Sequence, residues 1–266
     1  MASDGKGTAL ITGASTGIGA VYADRLAKLG YDLVLVARND QRLGEVADRL
    51  RTQTGHKVRT LKADLTAPAE LRLVEDVLRT DDSITALVNN AGFGASTKLL
   101  ESDVDNMESM IYLNVTALTR LTYAAARPLV ERKNGLIINI ASIVALAPEL
   151  LNGTYSGTKA YVVNLTQSLN RELFETGVRV QAVLPGAIET PFWDRAGLPV
   201  KHLPAEIVMS AEELVDAALA GLQLGEVITI PSLPDIADWE ALERARLALA
   251  PNLSRQHPAN RYAVRA

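Results

Sequence analysis

The sequence predicts an α/β fold, a single doubly wound domain in which a parallel sheet carries helices on both faces. Short runs of aliphatic and β-branched residues alternate with longer amphipathic patterns from residue 8 to about residue 184. The runs are apolar without interruption, as expected for strands that are buried on both faces of a parallel sheet. No stretch has the composition of a linker and no fixed-period repeat is present, so we expect one domain spanning residues 1–266.

The alternating elements follow one another in order along the chain. Strands are predicted at residues 8–12, 32–37, 57–62, 84–88, 136–140 and 178–184, and helices at about 17–29, 41–51, 69–79, 103–132 and 155–174. Four prolines then interrupt the pattern between residues 185 and 204, before a helix at about 212–222 and a short strand at 226–230. Residues 186–210 are therefore expected to form a loop over the substrate, and residues 231–266 a C-terminal extension with one helix.

The composition excludes several functional classes. The chain has no cysteine, which excludes disulfides, thiolate nucleophiles and cysteine-ligated metals, and its three histidines are too scattered to predict a metal site. The net charge is −4 with no clustered basic segment, so no nucleic-acid partner is expected. Without a signal sequence or an apolar stretch of the ~20 residues needed to cross a bilayer, we expect a cytoplasmic protein with no membrane partner.

A glycine-rich segment, Thr12-Gly-Ala-Ser-Thr-Gly-Ile-Gly19, lies between the first predicted strand and the first helix. Its glycines at positions 13, 17 and 19 permit a tight turn and let a pyrophosphate approach the free N–H groups of the helix. In a βαβ context the segment predicts a dinucleotide site, although a tight turn without a ligand is the other interpretation of three glycines.

The end of the second predicted strand distinguishes between the two nicotinamide dinucleotides. An acidic residue here, ~20 residues after the glycines, binds a free ribose 2′-hydroxyl, whereas an arginine suits a 2′-phosphate. The sequence has Ala37 followed by Arg38, which favours NADP(H) over NAD(H). Two alternative interpretations stay open. Arg38 could be a solvated side chain at a strand end, and Asp40 could either weaken the preference for NADP(H) or cap the next helix.

A third set of residues, Ser142, Tyr155 and Lys159, has the composition of an acid–base site. Tyr155 and Lys159 are four residues apart on a predicted helix, so both project from one face. A phenol with a pKa near ~10 is a poor base at neutral pH, and an ammonium ~5 Å away would stabilise its anion by about 3 kcal/mol. Ser142 follows the strand at 136–140, where its hydroxyl can hydrogen-bond a substrate oxygen.

Together these segments resemble the classical short-chain dehydrogenase/reductase family, whose domain is a Rossmann fold. The matching segments occur in the family's order over about residues 5–193: Thr12 to Gly19, Asn89-Asn90-Ala91-Gly92, Asn114, Ser142, Tyr155 to Lys159, and Pro185-Gly186. The resemblance implies an oxidoreductase that interconverts a ketone or aldehyde and an alcohol by hydride transfer, with NADP(H) as the cofactor.

The resemblance also implies a role for each matched residue. Tyr155 would be the acid/base, Lys159 would lower its pKa and hold the nicotinamide ribose, Ser142 would position the substrate oxygen, and Asn114 would support a water chain to Lys159. Asp64 would contact adenine, Asn90 would lie beside the adenosine ribose, and Ile188 and Thr190 would contact the carboxamide. The full cofactor-binding set is Gly13, Ser15, Thr16, Gly17, Ile18, Gly19, Arg38, Asp64, Leu65, Asn90, Ala91, Gly92, Tyr155, Lys159, Pro185, Gly186, Ile188 and Thr190.

The C-terminal part departs from the family pattern. Many members end shortly after a strand followed by Val-Asp-Gly-Gly, whereas here Glu226-Val-Ile-Thr-Ile-Pro231 continues into a further helix that ends near Leu249. A homo-oligomer is expected, and both a dimer and a tetramer stay open. Apolar candidates for the substrate pocket are Phe93, Ile143, Phe192, Trp193 and Trp239.

Two other functions compete with the enzyme that the resemblance implies. The chain would be a non-catalytic NADP(H)-binding sensor or scaffold if only the dinucleotide site were used, but such a protein has no need of the tyrosine–lysine pair. It would be a serine hydrolase if Gly13-Ala-Ser15-Thr-Gly17 were a nucleophile turn with His202 or His257 as its base. The hydrolase interpretation leaves the third glycine and every later motif unexplained.

Overall fold

The computed structural model describes residues 6–262 and confirms the predicted fold class. The main sheet consists of parallel strands in the order β3-β2-β1-β4-β5-β6-β9. The strands are β1 (Thr8–Thr12), β2 (Asp32–Ala37), β3 (Val58–Lys62), β4 (Ile84–Asn89), β5 (Gly135–Ile140), β6 (Val178–Val183) and β9 (Ile228–Thr229). A separate parallel pair joins β7 (Ala187–Ile188) to β8 (Val208–Met209).

Helices connect the strands of the sheet. They are α1 (Gly17–Lys28), α2 (Asp40–Thr54), α3 (Pro68–Thr80), α4 (Val104–Ile111), α5 (Leu118–Glu131), α6 (Gly153–Glu172), α7 (Phe192–Arg195), α8 (Ala211–Leu224) and α9 (Ile236–Ala248). The bounds of α1, α3 and α6 differ by one or two residues from those predicted, which is the usual uncertainty at a helix end.

The chain divides into two compact units at residue 231. The first unit contains the main sheet, the β7–β8 pair and helices α1 to α8. The second unit contains α9, in which no residue is buried and Arg246 forms an ion pair with Glu243 at 2.8 Å. The predicted helix in the C-terminal extension is therefore present, and it ends at Ala248.

The core consists of two apolar layers, one on each face of the sheet. Ala9 and Ile11 of β1 belong to the layer that includes side chains of α1, α2 and α8. Leu10, between them, belongs to the opposite layer, with side chains of α3, α5 and α6. Successive side chains of a strand point to opposite faces, so a strand covered on both faces must be apolar at every position.

The helical region predicted at residues 103–132 is not one α-helix. A π-helical turn, Tyr112–Ala117, separates α4 from α5. This turn contains Asn114, whose side chain is hydrogen-bonded to a residue outside the helix. Its side-chain amide donates to the carbonyl oxygen of Phe93 at 2.8 Å, and its side-chain oxygen accepts from the backbone N–H of Phe93 at 3.1 Å. Such turns are inserted into otherwise regular α-helices and are frequent at functional sites.

The start of α2 also differs from one of the sequence interpretations. Asn39, rather than Asp40, caps this helix, because its side-chain oxygen accepts a hydrogen bond from the backbone N–H of Arg42 at 2.9 Å. Asp40 is the first helical residue, where its negative charge lies beside the positive end of the helix dipole.

A buried carboxylate, Glu75, joins α3 to α5, two of the helices that contribute to the apolar layer containing Leu10. Only 1% of the Glu75 side chain is exposed, and it accepts hydrogen bonds from Arg120 on α5 and from Arg79 on its own helix. Burial raises the pKa of Glu75, but the hydrogen bonds from Arg120 and Arg79 outweigh it and hold the pKa below its usual value.

Replacing Glu75 with glutamine should lower the free energy of unfolding by about 1–3 kcal/mol at pH 7, because the amide cannot accept both charge-assisted hydrogen bonds. The pKa of Glu75 is lower in the folded than in the unfolded chain, so its stabilisation is present above a pH near the ordinary value of 4.5 and is lost as the pH falls further. Denaturant unfolding at pH 7 and at a pH below 4.5 measures the free energy of unfolding of the wild-type protein and of Glu75→Gln, and the difference between the two should be smaller at the lower pH. Asp76→Asn is the control, since Asp76 pairs with the same Arg79 but is 66% exposed, and it should change stability by less than about 0.5 kcal/mol.

Candidate active site

A cavity of about 590 Å³ lies at the carboxyl ends of the strands of the main sheet. From β1 the chain proceeds outward through β2 and β3 on one side, and through β4, β5 and β6 on the other. The loops that follow β1 and β4 therefore diverge and leave a crevice between them, which is where open α/β sheets bind their ligands.

The loops after β1 and β4 are tied together by a group of hydrogen bonds. The hydroxyl oxygen of Thr12 accepts from the backbone N–H groups of Asn90 and Ala91, both at 3.0 Å. The side-chain amide of Asn90 donates to the carbonyl oxygens of Thr12 at 2.9 Å and Gly13 at 3.2 Å. The edge of the cavity is thus fixed by contacts between two segments that are nearly eighty residues apart.

The glycine-rich turn packs directly against this tie. Gly13 has a φ of +66°, a conformation that side chains disfavour. Gly19, on the first turn of α1, leaves no space for a side chain, because a Cβ there would meet the carbonyl oxygen of Gly13 and lie 2.5 Å from the amide nitrogen of Asn90. Gly19 therefore sets how closely α1 approaches the turn and does not itself line the cavity.

One end of the cavity carries two arginines. Arg38, after β2, is 64% exposed, and its guanidinium lies 3.9 Å from the carboxylate of Asp64. Burial raises the pKa of Asp64, but hydrogen bonds from Thr66 and the charge of Arg38 hold the pKa below its usual value. Arg42 also lines this end. The sequence analysis missed Arg42, although its position four residues after Arg38, at the start of a helix, was a usable signal.

At the other end, Tyr155 and Lys159 lie side by side on α6. The Lys159 nitrogen is 5.8 Å from the centre of the Tyr155 ring, so the predicted shared face is present. Lys159 is buried and donates to the carbonyl oxygen of Ile140, at the end of β5, at 2.8 Å. Burial lowers the pKa of Lys159 to about 8.

The pKa of Tyr155 moves in the direction opposite to the one expected from spacing alone. Burial raises the pKa of Tyr155 above its usual value, and a hydrogen bond with Ser142 offsets this only in part. Desolvation disfavours both the phenolate and the ammonium, so it shifts the two pKa values toward the neutral forms. The sequence argument considered the attraction between the two charges and left out this desolvation, which is the largest effect on the pKa of Tyr155.

Two further residues of the predicted catalytic set lie beside this pair. Ser142, two residues after β5, lines the cavity, and its hydroxyl donates to the carbonyl oxygen of Pro185 at 3.4 Å. Asn114 is buried and, among the described residues, is not part of the cavity lining. It instead connects Phe93 to α6 through a hydrogen bond to Thr158 at 3.2 Å, so its place in a water chain stays a prediction.

The outer part of the cavity is apolar. Its wall combines residues from the loops after β4 and β5 with residues from the predicted substrate-covering loop: Phe93, Ile143, Val144, Leu150, Leu151, Pro191, Phe192, Trp193, Leu198, Leu203 and Ile207. The sequence analysis named Phe93, Ile143, Phe192 and Trp193 for this wall. Trp239 lies on α9 and is not among the lining residues that the structure describes.

The predicted substrate-covering loop, residues 186–210, is anchored at both its base and its middle. Its base is closed by the pairing of β7 with β8. In its middle, the carbonyl oxygen of Ala196 accepts hydrogen bonds from the amide of Ser96 at 3.1 Å and from its hydroxyl at 2.7 Å. The ring nitrogen of Trp193 donates to the carbonyl oxygen of Ile188 at 2.9 Å. The loop is therefore held against the segment after β4.

The structure brings nearly all of the predicted site residues into this one cavity. With the exception of Gly19, every residue of the predicted cofactor-binding set lines it, together with the catalytic candidate Ser142. The serine-hydrolase interpretation gains no support, because neither His202 nor His257 is among the described lining residues around Ser15. The described residues also contain no cluster of metal-ligating side chains and no helix long and apolar enough to cross a membrane.

Comparisons with known proteins agree with this geometry. A family model described as short chain dehydrogenase matches residues 7–198. A short-chain dehydrogenase from Sphingobium yanoikuyae, solved in complex with NADPH, is 49% identical with a TM-score of 0.94, covering 97% of this chain and 100% of its own. A bulky-bulky ketone specific alcohol dehydrogenase from Comamonas testosteroni is 43% identical with a TM-score of 0.89, covering 96% and 98%. An uncharacterized oxidoreductase from Staphylococcus epidermidis is 34% identical over 78% of this chain and 92% of its own.

Replacing Gly19 with alanine should destabilise the protein by about 2 kcal/mol or more, because the new methyl group overlaps backbone and the Asn90 amide. Gly44→Ala is the matched control, since a Cβ at this position on α2 meets nothing within 4 Å. Alanine favours a helix over glycine, so the control should stabilise the protein by about 0.5–1 kcal/mol. Thermal and denaturant unfolding of both variants measures the difference, and equal effects would show that the turn yields to the methyl group.

Proposed function

The chain belongs to the short-chain dehydrogenase/reductase family, and we propose that it is an NADP(H)-dependent oxidoreductase that interconverts ketones and alcohols. The observation that carries the proposal is the single cavity that contains the glycine-rich turn, Arg38 and the buried pair Tyr155 and Lys159. A binding site for a dinucleotide and a proton-transfer site thus share one continuous space.

The residues present fit a phosphorylated dinucleotide. Gly13 and Gly17, with φ of +66° and +55°, leave the start of α1 open to a pyrophosphate, whose charge the helix N–H groups favour. Arg38 and Arg42 supply positive charge where β2 ends, which suits a 2′-phosphate, and Asp64 lies beside Arg38 rather than in the place of an acid for the 2′-hydroxyl. The related Sphingobium structure contains NADPH. When bound, NADP(H) would supply or accept the hydride.

The protein's own residues then handle the proton and the substrate oxygen. Tyr155 holds the proton that is exchanged with this oxygen, and it is in its protonated form at neutral pH because burial raises its pKa. Ser142 hydrogen-bonds the same oxygen as negative charge develops there. Lys159 is a buried cation beside Tyr155, and the carbonyl oxygen of Ile140 accepts a hydrogen bond from one of its three N–H groups.

The apolar wall supports a bulky, uncharged carbonyl compound as substrate. Among the lining residues that the structure describes, the charged ones are Arg38, Arg42, Asp64 and Lys159, and none of these four belongs to the outer wall. A carboxylate or phosphate on the substrate would therefore lose its hydration without a partner. The likeness to a bulky-bulky ketone specific alcohol dehydrogenase supports the same class.

The remaining parts of the proposal concern organisation. We assign residues 1–266 to one short-chain dehydrogenase domain, with a substrate-covering loop at 186–210 and an extension at 231–266, and we expect a cytoplasmic homo-oligomer, either a dimer or a tetramer. No observation favours the non-catalytic sensor or scaffold, because Ser142, which can hydrogen-bond a substrate oxygen but has no part in the predicted cofactor-binding set, lines the same cavity as the buried pair Tyr155 and Lys159.

Tyr155→Phe should reduce NADPH-dependent ketone reduction by at least about 1000-fold while leaving the Kd for NADPH nearly unchanged, because it removes only the hydroxyl that carries the proton. Tyr161→Phe is the matched control on the same helix. The hydroxyl of Tyr161 is hydrogen-bonded to that of Thr119 at 2.7 Å and, among the described residues, Tyr161 does not line the cavity. Steady-state rates and a fluorescence titration of NADPH measure both effects. Turnover retained in Tyr155→Phe would refute the acid/base assignment.

Arg38→Asp should weaken NADPH binding by roughly 10- to 150-fold, the loss expected for a charge-assisted hydrogen bond, and should strengthen NADH relative to NADPH. Arg49→Asp introduces the same charge change on the exposed side of α2 and should leave the ratio of the two affinities as it is in the wild-type protein. Titrations of both dinucleotides against the three proteins give this ratio. An unchanged ratio in Arg38→Asp contradicts the 2′-phosphate role, and failure of both dinucleotides to bind the wild-type protein contradicts the proposed function itself.

A further inference from the structure

One aromatic ring of the substrate-covering loop lies directly beside the proposed acid/base. The ring centre of Phe192, the first residue of α7, is 5.8 Å from that of Tyr155, and the two rings are inclined by 44°. Phe192 packs against a small apolar cluster that contains Tyr155, Met107, Met110 and Val144. Phe192 therefore reaches from the loop to the proposed acid/base, and both residues line the cavity.

The position of this ring depends on the absence of a side chain at Gly94. A Cβ at Gly94 would lie 2.6 Å from the Cζ atom of Phe192 and 3.2 Å from the Cε2 atom of Tyr155. The φ of Gly94 is not in the left-handed region, so the backbone itself imposes no need for glycine here. Glycine at this position is required for space, because two aromatic rings occupy the volume that a methyl group would fill.

The backbone that carries Phe192 is fixed to the same segment that contains Gly94. The amide of Ala196 donates to the carbonyl oxygen of Phe192 at 3.0 Å, and the carbonyl oxygen of Ala196 accepts two hydrogen bonds from Ser96. The neighbouring ring, Trp193, is buried and meets Phe192 edge-on with a centroid distance of 5.5 Å. Phe192 is therefore confined on three sides, by Gly94, Tyr155 and Trp193, and its remaining side faces the cavity.

We propose that Phe192, in the space left by Gly94, sets the size of the carbonyl substituent that the site accepts next to Tyr155. This inference rests on the proposed function and adds a residue that determines specificity. A carbonyl carbon that reacts at the Tyr155 hydroxyl must place one of its two substituents within reach of the Phe192 ring. That ring is a fixed wall for the substituent, so its size, rather than any polar contact, discriminates between ketones.

The test compares two ketones that differ only in the length of one chain, acetophenone and valerophenone. Phe192→Ala should raise the ratio of kcat/KM for valerophenone to that for acetophenone by roughly tenfold or more, the discrimination expected when a pocket gains space for methylene groups. Phe192→Leu should raise the ratio in the same direction by a smaller factor. Phe174→Ala is the matched control, because Phe174 is 72% exposed and does not line the cavity that the structure describes, and it should leave the ratio unchanged.

A double-mutant cycle tests the part played by Gly94. Gly94→Ala should lower kcat/KM for both ketones by roughly tenfold or more, and most of this loss should be recovered in Gly94→Ala/Phe192→Ala, because the 2.6 Å contact is then absent. Additive effects of the two substitutions would overturn the assigned role of Gly94.

The outcomes separate this inference from the function on which it rests. The wild-type protein is expected to oxidise NADPH with both ketones. If it does, and if Phe192→Ala and Phe192→Leu change the ratio of the two kcat/KM values by less than about twofold, the role of Phe192 is overturned and the proposed function stands. A wild-type protein that reduces neither ketone overturns both. NADPH titrations of all variants complete the set, and a ratio that changes while the Kd for NADPH stays within about threefold of the wild-type value supports the inference.

Discussion

The hydrogen bonds between Thr12 and Asn90 are the contact on which the active-site half of this molecule depends. They join the loop after β1 to the loop after β4 at the point where the strand order reverses. Because both partners follow buried parallel strands, their positions are set by the register of the sheet rather than by the loops themselves. Gly13 and Gly19 pack against the side-chain amide of Asn90, so the shape of the glycine-rich turn depends on the hydrogen bonds between Thr12 and Asn90.

The loop after β4, which contains Asn90, also packs against the residues proposed for proton transfer. A Cβ at Gly92, two residues after Asn90, would lie 2.9 Å from the side-chain oxygen of Asn114 and 3.7 Å from the nitrogen of Lys159. The loop after β4 is therefore packed at once against the glycine-rich turn, the π-helical turn and α6. Lys159 is held from its other side by the carbonyl oxygen of Ile140 at the end of β5. This hydrogen bond partly replaces the hydration that the ammonium loses on burial, and burial lowers the pKa of Lys159 to about 8.

Much of the fold and most of the cavity lining followed from the sequence, since both depend on local patterns. The apolar runs of β1 and β2 predicted their strands to the residue, and the motif at residues 12–19 predicted a turn that lines a cavity. What the sequence did not predict depends on distances between segments. The π-helical turn at Tyr112–Ala117 accompanies a side chain bonded to Phe93, twenty-one residues away. The direction of the Tyr155 pKa depends on how deeply the pair is buried, which spacing on a helix does not reveal.

Two walls of the cavity belong to different parts of the fold. The residues proposed for proton transfer lie on one wall, and the residues proposed to select the substrate lie on the other. Tyr155, Lys159 and Ser142 are carried by α6 and by the end of β5, which are parts of the packed sheet and its covering layer. Phe192 and the apolar residues after it are carried by the loop at residues 186–210. Within this loop β7 pairs with β8 and the indole of Trp193 donates to Ile188, and Ser96 joins the loop to the segment after β4. A change in that loop alters the shape offered to a carbonyl substituent while the strands that fix the acid/base stay in place. Gly94 is the exception, because it contacts the rings of both walls, and this makes it the position where reaction and selectivity are coupled.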